Sequence, residues 1–234
     1  MNNEIKQVVI LSGGKGTRMR EMTESLPKPM VPVGGIPVLE HLINIFQQHN
    51  EFEFLICSGY KSEIIENHFD SSKNVKVINT GLDTNTGGRL YNIREILDEN
   101  FLVTYGDGLA NVNITNLINF HNSSESIGTI TVTNPTSRFG LVEFTDDKVV
   151  KKFIEKPKLD GFINIGFMVF NNTFLKYLTE DSTLESNPLM SLSEDRQLRA
   201  FVHSGYFEPM DTYREYLNLN KLWDSGEKPW TKID

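Results

Sequence analysis

Short runs of consecutive apolar residues alternate with amphipathic stretches along the first half of the chain. A continuous apolar run is typical of a strand buried on both faces, whereas apolar residues at helical spacing are typical of an amphipathic helix. The pattern predicts strands at residues 7–12, 52–58, 75–79 and 101–105. It predicts helices at residues 37–49, 62–69 and 88–97, the second of them capped by Ser62. This βαβαβαβ order indicates a parallel sheet with helices on its faces.

The second half has a different pattern, in which strand-like segments follow one another directly. We predict strands at residues 128–132, 140–144, 149–154 and 163–170, and a hairpin turn at Asp146 and Asp147. An amphipathic helix at residues 212–223 closes the chain. No repeat or linker divides the sequence, so we expect an α/β fold in a single Rossmann-like domain over residues 1–234. Its central sheet would be mixed, mainly parallel and flanked by helices, with a smaller β region from the second half.

Composition narrows the possible functions. The 234 residues carry a formal net charge of −8, which argues against a nucleic-acid partner because reading phosphates over a broad surface needs excess Lys and Arg. Cys57 is the only cysteine, which excludes an intramolecular disulfide and a cysteine-based zinc site. The apolar run at residues 8–11 is too short for a signal peptide, and no run reaches transmembrane length. We therefore expect a cytoplasmic protein with no membrane partner.

The segment after the first predicted strand combines Gly13, Gly14 and Gly16 with a following Arg18. Glycines let the backbone approach a phosphate and direct N–H groups towards it. Arg18 and the later Lys28 would add positive charge. The spacing matches neither the G-x-G-x-x-G dinucleotide fingerprint nor the P-loop. From these residues alone, an ordinary glycine-rich turn with two solvated cations remains an alternative.

The longer pattern resembles the signature of the sugar-nucleotide pyrophosphorylases, a family of nucleotidyltransferases. It runs from Leu11 to Arg18 and resumes, after eight intervening residues, with Pro27, Lys28 and Pro29. The resemblance implies that Arg18 assists the leaving pyrophosphate and that Lys28 contacts the reacting phosphates, both as catalytic residues. It also implies a loop that holds the phosphates of an NTP through Ser12, Gly13, Gly14, Gly16 and Thr17.

Two aspartates follow predicted element boundaries. Asp107 comes after the strand at residues 101–105, and Asp211 comes just before the last predicted helix. Taken alone, Asp107 reads as a turn residue and Asp211 as a helix N-cap. The family resemblance implies instead that both carboxylates hold Mg²⁺, which needs few protein oxygens when substrate phosphates supply the others.

The resemblance also extends to the second substrate, a phosphorylated acceptor. Lys156, which alone reads as a surface lysine before a proline, corresponds to the family lysine that binds the acceptor's phosphate, and we count it as catalytic as well. Residues 1–110 would then form the NTP-binding half and residues 111–234 the acceptor-binding half, with the smaller β region on the acceptor side. The acceptor-binding residues that we expect are Arg138, Glu155, Lys156, Asn164 and Gly166.

Several further segments are similar to glucose-1-phosphate cytidylyltransferases within this family, and they span nearly the whole chain. They lie at residues 84–90, 120–121, 138–140, 187–190, 222–223 and 229–230. This similarity implies CTP as donor, a sugar 1-phosphate such as glucose 1-phosphate as acceptor, and nucleotide contacts from Thr84, Gly88, Arg89 and Gly106. Two departures leave the acceptor and a homo-oligomeric state open. An insertion before residue 80 is missing, and Ile165 stands where these enzymes have glycine.

The expected reaction is an in-line attack by the acceptor's phosphate on the α-phosphorus of the NTP. A phosphate monoester is largely dianionic at neutral pH, so no general base is needed. His121 and His203 then read as packing or surface residues. The alternatives are a cytidylyltransferase for a non-glucose or non-sugar phosphate, a thymidylyl- or uridylyltransferase, and a non-catalytic nucleotide-binding regulator. A nucleotide-sugar-dependent glycosyltransferase would be expected to carry an Asp-x-Asp motif, which the strand before Gly106 lacks.

Overall fold

The computed structural model describes residues 5–233. The predicted domain of residues 1–234 also includes residues 1–4 and 234, which lie outside the described residues. The strands in chain order are β1 (Gln7–Leu11), β2 (Pro32–Val33), β3 (Ile36–Pro37), β4 (Glu53–Ser58), β5 (Val75–Asn79), β6 (Asn100–Tyr105), β7 (Gly108–Ala110), β8 (Gly128–Thr133), β9 (Leu141–Phe144), β10 (Val150–Ile154), β11 (Ile163–Asn164), β12 (Met168–Asn171), β13 (Leu198–Val202) and β14 (Phe207–Pro209). The α-helices are α1 (Arg20–Thr23), α2 (Val38–Gln47), α3 (Ser62–Phe69), α4 (Thr86–Asn92), α5 (Ile114–Asn122), α6 (Asn187–Glu194) and α7 (Tyr213–Asp224).

One mixed sheet organises the described residues, in the order β11-β8-β12-β6-β1-β4-β5, and β13 also pairs with β8. The strands β6, β1, β4 and β5 are mutually parallel, as the first half of the sequence predicts. Strand β12 runs antiparallel to β6 and β8, whereas β13 is parallel to β8. The prediction of a mixed, mainly parallel sheet flanked by helices is confirmed.

Strand β1 shows why its apolar run is continuous. Its side chains alternate between two apolar cores, with Val8 and Ile10 packed in one and Val9 and Leu11 in the other. Helix α2 covers the first core, where Phe46 is fully buried. Because helices cover both faces of the sheet, a strand in its centre has no solvated side and needs no polar positions.

The predicted strand at residues 163–170 is interrupted. Strands β11 and β12 both pair with β8, but Gly166 and Phe167 between them have φ values of +79° and +49°. A left-handed phenylalanine is uncommon, and here burial of its ring among core residues offsets the local strain. Apolar periodicity carries no sign of this backbone turn.

The predicted hairpin is confirmed as β9 and β10, an antiparallel pair that lies outside the central sheet. Its apolar side chains are exposed, with Phe144 57% and Phe153 63% accessible. Helices α5 and α6 were not predicted from the pattern. No helix among residues 5–233 is both long and apolar enough to cross a membrane.

Two predicted helix caps differ from the structure. Lys61, with φ of +51°, precedes α3, and Ser62 lies inside the helix, where its hydroxyl bonds Ser58 Oγ at 2.7 Å. At α7 the N-cap is Thr212, which forms a capping box with Glu215, so Asp211 is not the cap. The carboxylate of Asp211 is thus available for other contacts.

A buried histidine makes the stability of the fold depend on pH. His121 is 4% exposed, and its Nδ1 lies 2.9 Å from Thr129 Oγ1. Burial, with the nearby Arg199 charge, lowers the pKa of His121 to about 4. A histidine whose pKa is lower when folded stabilises the fold above the unfolded pKa, and this contribution is lost as pH falls from 6.5 towards 4.

We expect the free energy of unfolding to fall by up to about 1.4 kcal/mol per pH unit through this window because of His121. Urea unfolding at pH 7 and pH 5 measures it. In His121→Gln, which keeps a polar side chain that cannot titrate, the loss between the two pH values should be smaller. An equal loss in both proteins would show that His121 is not responsible.

Candidate active site

The candidate site lies at the carboxyl ends of β1 and β6. These strands pair so that Leu11 is beside Tyr105, and the loops that follow them therefore start side by side. Both loops open into a cleft of about 660 Å³. The predicted site residues that line it are Ser12, Gly13, Gly14, Gly16, Thr17, Arg18, Lys28, Thr84, Arg89, Gly106, Asp107, Asn164 and Asp211.

The glycine loop has backbone amides without an internal acceptor. The amides of Gly13, Gly14 and Gly16 donate to no group among residues 5–233. Gly16 adopts φ of +61°, and a Cβ there would press on Thr23 and Lys28. Free amides in a loop of this kind form a site for an anion such as phosphate.

A cluster of four charged side chains occupies the floor of the cleft. The ammonium of Lys28 donates to a carboxylate oxygen of Asp107 and, at 2.7 Å, to Asp211 Oδ1. Arg18 Nη1 donates to Asp211 Oδ2 at 3.1 Å. Strand pairing brings the two aspartates together, because β14 runs antiparallel to β7 and the Met210 amide donates to the Asp107 carbonyl at 2.8 Å.

The cluster favours the charged forms of Lys28 and Asp211. Burial alone would lower the pKa of Lys28, but Asp107 and Asp211 outweigh it and the pKa is raised. For Asp211, burial acts to raise the pKa, yet hydrogen bonding and attraction from Lys28, together with Arg18, leave it lowered. Lys28 is thus a fixed cation rather than a proton acceptor at neutral pH.

The two aspartates fit the predicted Mg²⁺. Both reach the same ammonium nitrogen, so their oxygens lie close enough to share a single cation. The described part of the chain offers no group of three or more His, Cys, Asp or Glu for a metal. A pair of hard carboxylate oxygens suits Mg²⁺, which commonly takes its remaining ligands from phosphates and water.

Arg89, a predicted nucleotide contact, is buried although it lies in the first turns of helix α4. It is 4% exposed, and its Nη1 donates to Ser58 O at 2.8 Å, Thr80 Oγ1 at 2.7 Å and Gly81 O at 2.9 Å. Burial lowers its pKa. The guanidinium lies over Gly13, where any Cβ would overlap it. The glycine at position 13 is therefore required by Arg89 as well as by the loop.

Two more predicted nucleotide contacts have close packing around them. Gly106 lies against Ser12, and a Cβ at residue 106 would overlap Ser12 Oγ. That hydroxyl is buried without a hydrogen-bond partner among residues 5–233. The Thr84 hydroxyl donates to the Thr80 carbonyl at 2.6 Å, which fixes the start of the segment that carries Arg89.

Gly88 does not line the cleft. Its amide donates to Ser182 O at 2.9 Å, and a Cβ would overlap the carbonyl of Glu180. The structure thus gives Gly88 a packing role in α4, and its predicted nucleotide contact stays a prediction.

The predicted acceptor residues are divided between two cavities. Arg138 and Lys156 line a second cavity of about 850 Å³, which adjoins the cleft through shared residues including Phe207. Asn164 lines the cleft itself, together with the residues predicted to bind the nucleotide. Lys156 makes no contact with the Lys28 cluster.

The other two predicted acceptor residues line neither cavity. Glu155 is exposed and lies 3.7 Å from the Lys156 ammonium. Gly166 packs where a Cβ would press on the ring of Tyr105. Their predicted contacts with an acceptor stay predictions.

Two residues that sequence reasoning did not select contact this region. Glu215 Oε1 accepts a hydrogen bond from Arg138 at 2.6 Å, and its Oε2 accepts from the amide of Asp211 at 2.8 Å. The Thr-x-x-Glu capping box at residues 212–215 was a visible signal for it. Glu185 accepts from Tyr105 at 2.5 Å, and no motif pointed to it.

A further cavity of about 930 Å³ lies at the opposite edge of the sheet. Phe52, Asn100 and Asn171, at the far ends of β4, β6 and β12, are among its lining residues. None of the predicted site residues lines this cavity. The cleft therefore remains the candidate site, although this cavity has the larger volume.

Comparison with known proteins identifies a family for the chain. A model of the family described as nucleotidyl transferase matches residues 7–206. The glucose-1-phosphate cytidylyltransferase of Salmonella typhimurium is 38% identical over 253 aligned residues, covering 96% of this chain and 98% of that protein. A probable glucose-1-phosphate cytidylyltransferase of Bacillus subtilis is 37% identical with the same coverage. The solved structure of HddC from Yersinia pseudotuberculosis has the same fold, with a TM-score of 0.73, 23% identity, and coverage of 94% of this chain and 100% of that chain. The chain therefore belongs to the nucleotidyl transferase family.

Proposed function

We propose that the protein transfers the cytidylyl group of CTP to a sugar 1-phosphate and releases pyrophosphate, with glucose 1-phosphate as the first candidate acceptor. The observation that carries the transfer reaction is the meeting of the glycine loop, Arg18, Lys28 and two aspartates in one cleft. The choice of CTP and glucose 1-phosphate is supported by the two cytidylyltransferase relatives at 37% and 38% identity.

The residues of the cleft supply positioning and charge. An acceptor phosphate oxygen forms a bond to the α-phosphorus as the bond to the pyrophosphate oxygen breaks. The nucleophile is already ionised, so no residue has to remove a proton. Two like unit charges at ~4 Å repel by roughly 4 kcal/mol at an effective dielectric of 20. Lys28 and Arg18 offset this repulsion and stabilise the charge on the departing pyrophosphate.

Asp107 and Asp211 would hold the Mg²⁺ of this reaction. When bound, Mg²⁺ neutralises charge on the phosphate oxygens and orients them. The Lys28 ammonium holds both carboxylates towards one point, and binding of the ion would release Lys28 from them. The two ligands are thus brought together before substrate arrives, although the ion has to compete with the lysine for them.

The unpaired donors of Arg89 offer one way to select the base. Three oxygens fix Nη1 of Arg89, and the rest of this guanidinium makes no hydrogen bond within residues 5–233. A guanidinium can only donate hydrogen bonds. A donor at N3 of the base would find an acceptor in cytosine but a proton in uracil or thymine, whereas a donor at O2 would not distinguish the three bases.

A panel of nucleotides and acceptors tests the proposal. CTP, UTP, dTTP, ATP and GTP are each combined with glucose 1-phosphate, mannose 1-phosphate or phosphocholine, with and without Mg²⁺, and pyrophosphate release is followed. We expect kcat/KM for CTP with glucose 1-phosphate to exceed every other pair by about tenfold or more. Protein with Lys28→Ala, purified identically, controls for contaminating enzymes. A higher kcat/KM for UTP or dTTP would contradict the choice of CTP, and no release from any pair would favour a non-catalytic regulator.

A cytidylyltransferase for another phosphorylated acceptor is the second candidate. Ile165 is 3% exposed and lines the cleft, where a branched side chain narrows the space for an acceptor. The alignment to the Salmonella typhimurium relative spans 253 residues, more than the 234 of this chain, so that relative contains residues that this chain lacks. Mannose 1-phosphate and phosphocholine in the panel test this candidate. Cytoplasmic location and a homo-oligomeric state stay predictions.

A further inference from the structure

We propose that Glu215 is a positioning residue that holds Arg138 in the acceptor cavity and Asp211 in the cleft at the same time. This inference rests on the proposed function, because it assigns Arg138 to the acceptor and Asp211 to the reacting phosphates. Glu215 itself touches neither substrate in this assignment and acts through the two residues that it holds.

The carboxylate of Glu215 is fully engaged by its neighbours. Its Oε1 accepts from Arg138 Nη2 at 2.6 Å. Its Oε2 accepts from the backbone amides of Asp211 at 2.8 Å and Thr212 at 2.9 Å. The side chain is 12% exposed, so its geometry is set by these contacts rather than by solvent.

Arg138 needs such a partner because its side chain is long and mostly exposed to solvent. It lies at the base of the exposed hairpin of β9 and β10, and its own side chain is 63% exposed. Glu215 is its one hydrogen-bond partner among residues 5–233, and Glu208 interacts with it through charge alone. A long side chain without that bond would sample many rotamers, and each binding event would have to order it again.

The ion pair contributes little to stability, which leaves positioning as its role. An ion pair with one partner exposed is worth little to folding because solvent screens it and ordering the side chains costs entropy. Glu208 lines the same cavity, and burial, with the charge of Glu215, raises its pKa. Two acids that face one arginine restrain its guanidinium without needing to stabilise the fold.

The same carboxylate reaches the Lys28 cluster through the backbone. The Asp211 amide is fixed by Glu215, and the Asp211 carboxylate holds Lys28 and Arg18. Two separable effects follow from the two oxygens of Glu215. The charged oxygen that faces Arg138 should affect binding of the acceptor. The oxygen that accepts from the two amides should affect the position of Asp211.

Glu215→Gln separates these effects. Glutamine at this position of a capping box can still accept from the two amides through its carbonyl oxygen. Its amide nitrogen then faces Arg138, and a nitrogen donor cannot accept from a guanidinium. We expect the acceptor KM, measured with glucose 1-phosphate and saturating MgCTP, to rise about tenfold. The CTP KM and kcat should change less than about threefold, and Tm by less than about 2 °C.

Two further variants define the coupling. Glu215→Ala removes both oxygens, so we expect kcat to fall as well, by about tenfold or more. The double variant Glu215→Gln with Arg138→Gln should have the acceptor KM of Arg138→Gln alone, because the charge acts only through that arginine. Glu143→Gln is the matched control, since it neutralises an exposed partner of Lys152 in the hairpin and should leave both KM values unchanged.

The outcomes separate this inference from the proposed function. Absence of nucleotidyl transfer by the wild-type protein would overturn the proposed function and this inference together. Wild-type turnover with an unchanged acceptor KM in Glu215→Gln would overturn the inference alone. Equal rises in both KM values, or effects in the double variant that simply multiply, would show a general structural role instead and would also overturn it.

Discussion

Replacement of Lys28 by alanine is expected to lower kcat by about 10²–10³-fold, the loss typical of one preorganised donor to a developing negative charge. Lys28 is 12% exposed on its side chain and contacts both aspartates of the cleft. Among residues 5–233, Arg18 is the other cation that bonds one of these aspartates, but its side chain is 69% exposed, so it does not replace a largely buried ammonium. Steady-state pyrophosphate release under saturating CTP and acceptor measures the effect.

Loss of turnover in Lys28→Ala is informative only if the protein still folds. Without the ammonium, Asp107 loses its ion pair and Asp211 keeps only Arg18, so we expect a lower Tm at neutral pH. Added Mg²⁺ should raise the Tm of the variant more than that of the wild type, because the ion no longer competes with the lysine. Lys76→Ala, an exposed lysine on the outer strand β5, is the matched control and should keep full activity. Turnover of Lys28→Ala within a few-fold of wild type would contradict the site.

The central strands could be predicted because their environment is uniform. In β1 every side chain is buried, so an apolar run was a sufficient signal. The strands of the second half were harder to predict. Buried and exposed positions alternate only partly in β13, and β14 is defined by its pairing with β7. The break at Gly166 and Phe167 could not be predicted, because Ile165 and Met168 on either side are apolar and the two strands continue in the same direction along β8.

The candidate site, like the fold, could be predicted from the sequence only in part. The glycine loop, Lys28 and the two aspartates were selected because their motifs resemble those of a known family, and the pairing of β7 with β14 explains why the aspartates meet. The burial of Arg89 depends on Ser58, Thr80 and Gly81, which come from other loops. Lys156 lines a separate cavity because of the position of the hairpin, and this position cannot be predicted from the spacing of residues in the sequence.

Asp107→Asn is expected to remove Mg²⁺-dependent turnover, with kcat at least about 10²-fold below wild type. Asparagine keeps the size of the side chain but replaces a charged oxygen with an amide, which is a poor ligand for Mg²⁺ and a weaker partner for Lys28. Initial rates across a series of Mg²⁺ concentrations measure both the maximal rate and the half-saturating concentration, which should rise.

Asp83→Asn is the matched control for Asp107→Asn, because Asp83 is an exposed carboxylate that pairs with Lys15 away from the two metal-binding candidates. It should leave the dependence on Mg²⁺ unchanged. If Asp107→Asn loses turnover but keeps the wild-type half-saturating Mg²⁺ concentration, Asp107 acts by orienting Lys28 rather than by binding metal, and Asp211→Asn becomes the decisive variant. An undiminished rate in Asp107→Asn would exclude Asp107 from the reaction altogether, since neither a metal ligand nor the partner of a catalytic lysine can lose its charge without effect.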